Sequence, residues 1–310
     1  MAILNKNSLL GTVAVAALLA GATGALAGGF AIREQSTSAQ GASFAGNAAN
    51  SDLSAMFWNP AGAANVQGFG TESHYTLIIP RAHIDVTGTS HDTSTPQGVG
   101  LNALMNSGKF ANNSGDIGKI AALGATYLAY QFVNYDPNLF LGLAMNSPFG
   151  LKTKPEDVNY KGSVLGRETS LLTLNVSPSL AYKITPNLVV SAGAQMQYAD
   201  ATLTFGGTPS AFDTRFEGTG LAFGGTAGVM WTPAAGTTVG LGYRSQLKQQ
   251  LSGSYSNNQG IGALGVPPAL GGFASVEART NLNLPDIVSL SLRQSIADRK
   301  STRLNSSHSS

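Results

Sequence analysis

Over residues 168–184 the side chains alternate between apolar and polar. Leu172, Leu174, Val176, Leu180, Tyr182 and Ile184 hold even positions; Thr169, Thr173, Asn175, Ser177, Ser179 and Lys183 hold odd ones. A period of two is that of a β-strand, whose successive side chains point to opposite faces. Thr185-Pro186-Asn187 reads as a tight turn. Beyond it, Leu188, Val190, Ala192, Ala194, Met196 and Tyr198 alternate with Ser191, Gly193, Gln195 and Gln197. A third segment carries Leu221, Phe223, Ala227, Val229 and Trp231 at odd positions, with glycines and Thr226 between them. After a turn over 232–236, Val239, Leu241, Tyr243 and Leu247 are set against Gly240, Gly242, Arg244, Gln246 and Lys248. Each strand therefore has one apolar face and one small or polar face.

Four further strands are less regular. Residues 71–87 alternate through Tyr75, Leu77 and Ile79, then shift phase at Pro80 to Ala82, Ile84 and Val86, which predicts a bulge or bend. Residues 119–133 are apolar on both faces, and 139–146 align Leu139, Leu141, Leu143 and Met145. Pro285-Asp286 invites a hairpin, but Val276, Ala278, Leu282, Leu284, Val288, Leu290, Leu292 and Ile296 share one parity. A two-residue hairpin would flip that parity, so 273–297 is expected to be one long strand with a proline irregularity. The total is about eight strands. Their connections run long (88–118), short (134–138), long (147–167), short (185–187), medium (206–213), short (232–236) and long (254–272).

Such strands suit lipid. Only 11% of the 310 residues are charged and 38 are glycine, with no cysteine and a formal net charge of +2. Soluble chains carry about 25% charged residues. The charge balance excludes a nucleic-acid binder, and the absent cysteines exclude a disulfide framework or any Cys-based site. Residues 1–27 have the parts of a secretory signal peptide: Lys6, a short apolar run over 9–22 and Ala25-Leu26-Ala27. No later stretch is a credible membrane helix. The longest charge-free one, 218–243, holds eight glycines and Pro233. A closed β-barrel is the alternative to helices in hydrocarbon, and short turns on one side with long loops on the other are the pattern of outer-membrane barrels. The long loops carry Leu101, Leu104, Met105, Ile261, Leu264 and Leu270, which points to a hydrophobic ligand more than to a water-filled pore.

Residues 30–70 do not alternate, yet Phe44, Phe57 and Trp58 are costly to leave in water. They are expected to pack inside the barrel. Gly29-Phe30, Asn59-Pro60-Ala61, Ser147-Pro148-Phe149-Gly150-Leu151, the run from Asn175 to Lys183 and the run from Leu284 to Leu290 resemble the FadL/TodX family of outer-membrane transporters. The resemblance spans roughly residues 29–299. It implies a fourteen-stranded transmembrane antiparallel barrel plugged by an N-terminal hatch. By that likeness the chain works as a monomer without cofactor or metal. Long-chain fatty acids or similar hydrophobic molecules enter from the outside by passive, ligand-gated diffusion and leave sideways, through a kinked strand, into outer-membrane lipid.

The implied organisation is a signal peptide (1–27), a hatch (28–70), part of a barrel (71–299) and a tail (300–310). Eight strands enclose only enough space for side chains, with no room for a plug. About six strands are therefore expected to be missing, and the tail, which does not alternate, is expected to be foreign. Asn59, Pro60 and Ala61 are expected to fix a turn of the hatch. Arg244 and Lys248, sharing lumen parity, and Lys183 on another strand are candidate cations for a carboxylate head; salt bridges to lumen acids are the alternative. Gly142, Pro148, Phe149 and Gly150 mark the candidate kinked strand. The histidines show no zinc spacing, and no Gly-x-Ser-x-Gly or phosphate-loop motif occurs, so no enzyme is expected. A general porin for small polar solutes is the rival reading.

Overall fold

The computed structural model describes residues 31–87, 112, 114–157, 160–164, 166–206, 212–259 and 275–295. The signal peptide, most of the loop over 88–118, the loop over 260–274 and the tail lie outside the described residues.

Eight strands lie side by side in one antiparallel sheet that curls into a half-barrel: β1 (Phe69–Ile78), β4 (Ala121–Gln131), β5 (Leu139–Asn146), β7 (Glu168–Thr185), β8 (Leu188–Gly206), β9 (Phe212–Ala234), β10 (Thr237–Arg244) and β13 (Ile287–Gln294). Three further strands prolong this wall at the long-loop end: β6 (Gly150–Thr153) beyond β5, β11 (Leu247–Gln259) beyond β10 and β12 (Val276–Leu284) leading into β13. The phase shift at Pro80 is a strand end rather than a bulge. β1 stops at Ile78, and β2 (His83–Asp85) pairs instead with β3 (Ser114–Asp116) in a separate two-stranded sheet. Proline lacks the N–H that a continuing ladder would need.

The outward face is apolar where parity predicts it. Leu172, Leu174, Leu180, Phe223, Trp231, Leu241, Val288, Leu290 and Leu292 are all exposed. On β9 this band runs from Trp231 to Leu221, ten residues or ~33 Å along the strand. With the 35–45° tilt of outer-membrane strands it stands ~25 Å tall, the height of their apolar band. Among the described residues no helix is long and apolar enough to cross a membrane.

The concave face is filled by the segment over 31–66. It folds into one short helix, α1 (Thr37–Gly41), and three 3-10 helices, Asn47–Ala49, Leu53–Phe57 and Pro60–Asn65. Ser36 caps α1 by accepting from Ala39 N–H. Leu53, Met56, Phe57, Ala61 and Ala63 share a core with Ala125, Tyr127, Phe140, Ala144, Ala181 and Met230 of the wall. This is why residues 119–133 are apolar on both faces: one meets lipid, the other meets the inner segment.

Two neighbouring strands bend together. β10 pairs with β13 as far as Arg244↔Ile287, and β11 pairs with β12 from Leu247↔Leu284 onward. Between them Ser245 and Gln246 face Pro285 and Asp286. The Asp286 carboxylate accepts from Gln246 N–H (2.9 Å) and from the Tyr243 hydroxyl (2.6 Å). Both strands turn over at this break. Val288, Leu290 and Leu292 face outward, whereas Leu284 is buried and Leu282 packs on the core. The single-faced strand expected over 273–297 is therefore two strands with opposite faces.

Candidate functional site

The wall has a second discontinuity. β4 pairs with β5 only from Gln131↔Phe140 to Thr126↔Met145. Residues 147–149 then leave the ladder, and β6 pairs with β7 alone. On the β4 side, residues 119–125 have no partner across the slit, though 121–125 pair with β1 along their other edge, until the Gly118↔Thr153 bridge closes the outer end. The slit so bounded is roughly 20 Å long.

Residues 31–35 lie behind this slit. Ala31 bridges Phe149, Ile32 N–H donates to Pro148 O (2.9 Å), and Gln35 Nε2 donates to Ser147 O (2.7 Å). Tyr127 of β4, just beyond the slit where it pairs with Ala144, donates its hydroxyl to Gln35 O (2.9 Å), so the segment is tied to β4 as well as to residues 147–149. The Phe149 N–H and carbonyl are both engaged by Thr173 Oγ1, at 3.1 and 2.6 Å. Phe149 itself packs on Ala222, Leu247 and Leu284, which joins the slit to the bend of β10–β13.

Asn59, Pro60 and Ala61 are buried together where the inner segment meets β9. The Asn59 side chain caps the following 3-10 helix by accepting from Ala61 N–H (3.0 Å). Its Nδ2 donates to Ala48 O (2.8 Å) and to Val229 O of the wall (2.9 Å). One side chain thus holds two turns of the segment together and pins both to β9.

The three candidate cations are not brought together. Arg244 is buried on the inner face, opposite Thr226 and so near mid-height of the apolar band. Its Nη2 donates to Asn175 Oδ1 and Gln195 Oε1 (both 3.0 Å), its Nη1 to Phe57 O (3.1 Å), and its guanidinium lies 5.0 Å from the Phe57 ring centroid. Lys248 is exposed and sits on the other face, because the bend at Ser245 and Gln246 reverses the parity that Arg244 sets. Against β9 the register changes by one residue across this bend, from Arg244↔Thr226 to Ser252↔Thr219. Lys183 stands by the turn end of β7, 4.7 Å from the Phe140 ring centroid and ~20 Å along the strand from Ser177. None of the three pairs with a carboxylate among the described residues.

Pro148, Phe149 and Gly150 lie at the slit, but Gly142 does not. It is fully in register, opposite Ala129 and Ser179. A methyl there would come within 2.6 Å of Met56 Cε and 2.9 Å of Ala63 Cβ, so this glycine makes room for the inner segment. Sequence reasoning missed a second anchor. His74 Nδ1 accepts from Thr37 N–H (3.1 Å), so Nε2 carries the proton and donates to Glu72 (2.5 Å). Glu72 in turn accepts from Ser54 N–H (3.2 Å). The pair's place at alternate positions of one strand was its only sequence signal.

A cavity of about 450 Å³ opens beside Arg244, lined among others by Phe57, Trp58, Pro148, Phe149 and Ile287. That is within the size range of small-molecule sites.

The family model described as Outer membrane protein transport protein (OMPP1/FadL/TodX) matches residues 18–308. Outer membrane protein P1 of Haemophilus influenzae is 32% identical over 200 residues, covering 63% of this chain and 40% of that protein. A long-chain fatty acid transport protein of Escherichia coli is 27% identical over 181 residues, covering 48% of this chain and 40% of its own length. The chain thus spans about 40% of the length of these curated relatives. Among solved structures, a FadL homologue of Pseudomonas aeruginosa shares the fold with a TM-score of 0.63 at 21% identity, covering 87% of this chain and 67% of that one. The matched family is one of transport proteins and not of enzymes.

Proposed function

This chain belongs to the OMPP1/FadL/TodX family of outer-membrane transport proteins of Gram-negative bacteria, and on that premise we propose that it takes up long-chain fatty acids or similar hydrophobic compounds by passive, ligand-gated diffusion. The segment over 28–70 acts as the hatch and the slit over 147–149 as the lateral exit into lipid. The chain performs no catalysis. Its partners are the hydrophobic solute and the surrounding lipid.

The observation that carries this reading is the slit stopped by residues 31–35. A gap in the ladder leaves backbone groups unpaired at the height of the membrane, which hydrocarbon does not tolerate unless protein covers them. Covering by a separate, hydrogen-bonded segment is reversible, whereas a continuous ladder is not. An apolar solute that displaces this segment meets lipid directly, and its release is driven by the hydrophobic effect alone.

Uptake of radiolabelled oleate or toluene by cells with the full gene is expected to exceed that of a deletion strain several-fold. Equal uptake would refute the proposal. The inner segment over the concave face disfavours a general porin. Rapid liposome swelling with small sugars would reverse that judgement.

A further inference from the structure

We propose that Thr173 of β7 is a positioning residue for the exit: its hydroxyl keeps residues 147–149 out of the ladder, so that the slit stays open when residues 31–35 withdraw. This deepens the exit reading above and rests on it. β5 pairs with β7 as far as Asn146↔Asn175, and β6 resumes at Gly150↔Leu172. Three residues, 147–149, therefore face only two, 173 and 174, which is the count of a β-bulge. Pro148 has no N–H to offer a ladder. Backbone groups left over at membrane height need partners from protein. Thr173 is fully buried and supplies them. Its Oγ1 accepts from Phe149 N–H (3.1 Å) and donates to Phe149 O (2.6 Å), and its carbonyl accepts from Ser147 Oγ (2.6 Å). One hydroxyl has a single proton to give, and here its donor and an acceptor site serve the same residue.

The other two carbonyls of the kink are held differently. Ser147 O accepts from Gln35 Nε2 (2.7 Å) and Pro148 O from Ile32 N–H (2.9 Å). Residues 147–149 are thus held by one movable segment and one fixed side chain of the wall. When residues 31–35 withdraw, both carbonyls lose their donors, and the edge of β4 facing the slit offers replacements. Extending the β4–β5 register beyond Thr126↔Met145 sets Gly124 opposite Ser147 and Ala122 opposite Phe149. Zipping along that register would shut the slit at the moment of release. The N–H and carbonyl of Phe149, committed to Thr173, are withheld from it. The hydroxyl acts on the wall and not on the solute, so it serves acids and hydrocarbons alike.

Thr173→Val removes the hydroxyl and keeps the branched shape, whereas Thr173→Ser keeps the hydroxyl. Gly124→Cys with Ser147→Cys reports closure, because a zipped slit sets the two positions opposite each other, and a Cβ at 124 meets nothing nearer than the Tyr75 ring at 3.9 Å. In cells with the full gene, Thr173→Val is expected to lower the maximal rate of oleate uptake about tenfold at unchanged KM. With the cysteine pair added, it is expected to speed disulfide formation about tenfold. Thr173→Ser should restore both. Toluene uptake should fall with that of oleate, and a loss confined to oleate would overturn a role that acts on the wall. A raised KM at unchanged maximal rate, or no rescue by Thr173→Ser, would also overturn it. Ile32→Pro with Gln35→Ala strips the contacts of residues 31–35 to Ser147 and Pro148 and leaves Thr173 in place. In that background the disulfide should form no faster than in the otherwise unaltered pair; rapid closure would overturn the proposal whether or not Thr173→Val folds. Full uptake in Thr173→Val with the slit open would overturn the role of Thr173 and leave the exit standing. Full uptake with the disulfide closed would overturn both.

Discussion

Gly242→Ala adds one methyl group to the inner face of β10, and the structure predicts that it undocks the hatch. The new carbon would overlap the Trp58 carbonyl oxygen, and would stand 2.8 Å from the Trp58 carbonyl carbon and 2.9 Å from the Asn59 Cα. Carbon atoms meet comfortably at about 3.5 Å, so the hatch must retreat by at least ~0.7 Å. Two anchors span that interface: Asn59 Nδ2 to Val229 O at 2.9 Å and Arg244 to Phe57 O at 3.1 Å. Both would stretch past hydrogen-bonding distance. Their loss costs about 1 kcal/mol for the amide and about 1.5–3 kcal/mol for the charged donor, and residual overpacking adds about 1–3 kcal/mol. A total of about 3.5–7 kcal/mol is large against local opening energies. Hydrogen exchange over residues 47–66 in detergent should accelerate a hundredfold or more, while the β7–β9 ladder stays protected. Gly225→Ala is the matched control. It lies on the neighbouring strand facing outward, and its nearest atom would be Gly193 O at 3.7 Å. Equal hatch protection in Gly242→Ala and Gly225→Ala would refute the packing reasoning.

Two other perturbations separate roles within the hatch. Asn59→Asp keeps the cap on the 3-10 helix but cannot donate to Ala48 O and Val229 O; it should destabilise the hatch at least as much as Asn59→Ala, about 3 kcal/mol, measured by limited proteolysis, whereas full protection in the Asp variant would mean that the cap alone matters. His74→Leu removes the acceptor for Thr37 N–H and the donor to Glu72, so exchange at α1 should rise about tenfold with the strands unchanged, and an unchanged rate would show that β1 does not anchor the helix.

Much of the wall was legible because a strand between lipid and a packed interior has a period of two with a clear apolar phase. β5, β7, β8, β9 and β10 keep it along the lipid-facing side, while Phe140, Val189 and Met230 are apolar at inward positions because they pack on the inner segment. The phase misleads at the bends. Odd positions are apolar at Val239, Leu241, Tyr243, Leu247 and Leu251, yet the first three face outward and the last two are buried. Below the bend the apolar face meets lipid; above it the outward face meets water, and the apolar residues turn in to the core. Counting parity assumes an unbroken strand, so it placed Lys248 beside Arg244 and Leu284 beside Val288. The slit was half legible. Proline and glycine at 148 and 150 announced an irregularity, but nothing local in the chain shows that residues 31–35 would cover it. Arg244 stood out as a cation on a small-residue face, whereas its neutral partners came from β7, β8 and the hatch, which only the folded chain assembles.

The central claim is that solute leaves through the slit, and that residues 31–35 must move for it to do so. Ala31 and Phe149 are bridge partners, and paired positions in a sheet lie 4.5–5.5 Å apart at Cα, within reach of a disulfide. The chain has no other cysteine, so Ala31→Cys with Phe149→Cys makes one reversible staple. Oleate uptake by cells carrying this pair should fall to the deletion level when the staple is oxidised and return on reduction, while either single variant is indifferent to reductant. Unchanged uptake with the staple verified as closed would contradict the account.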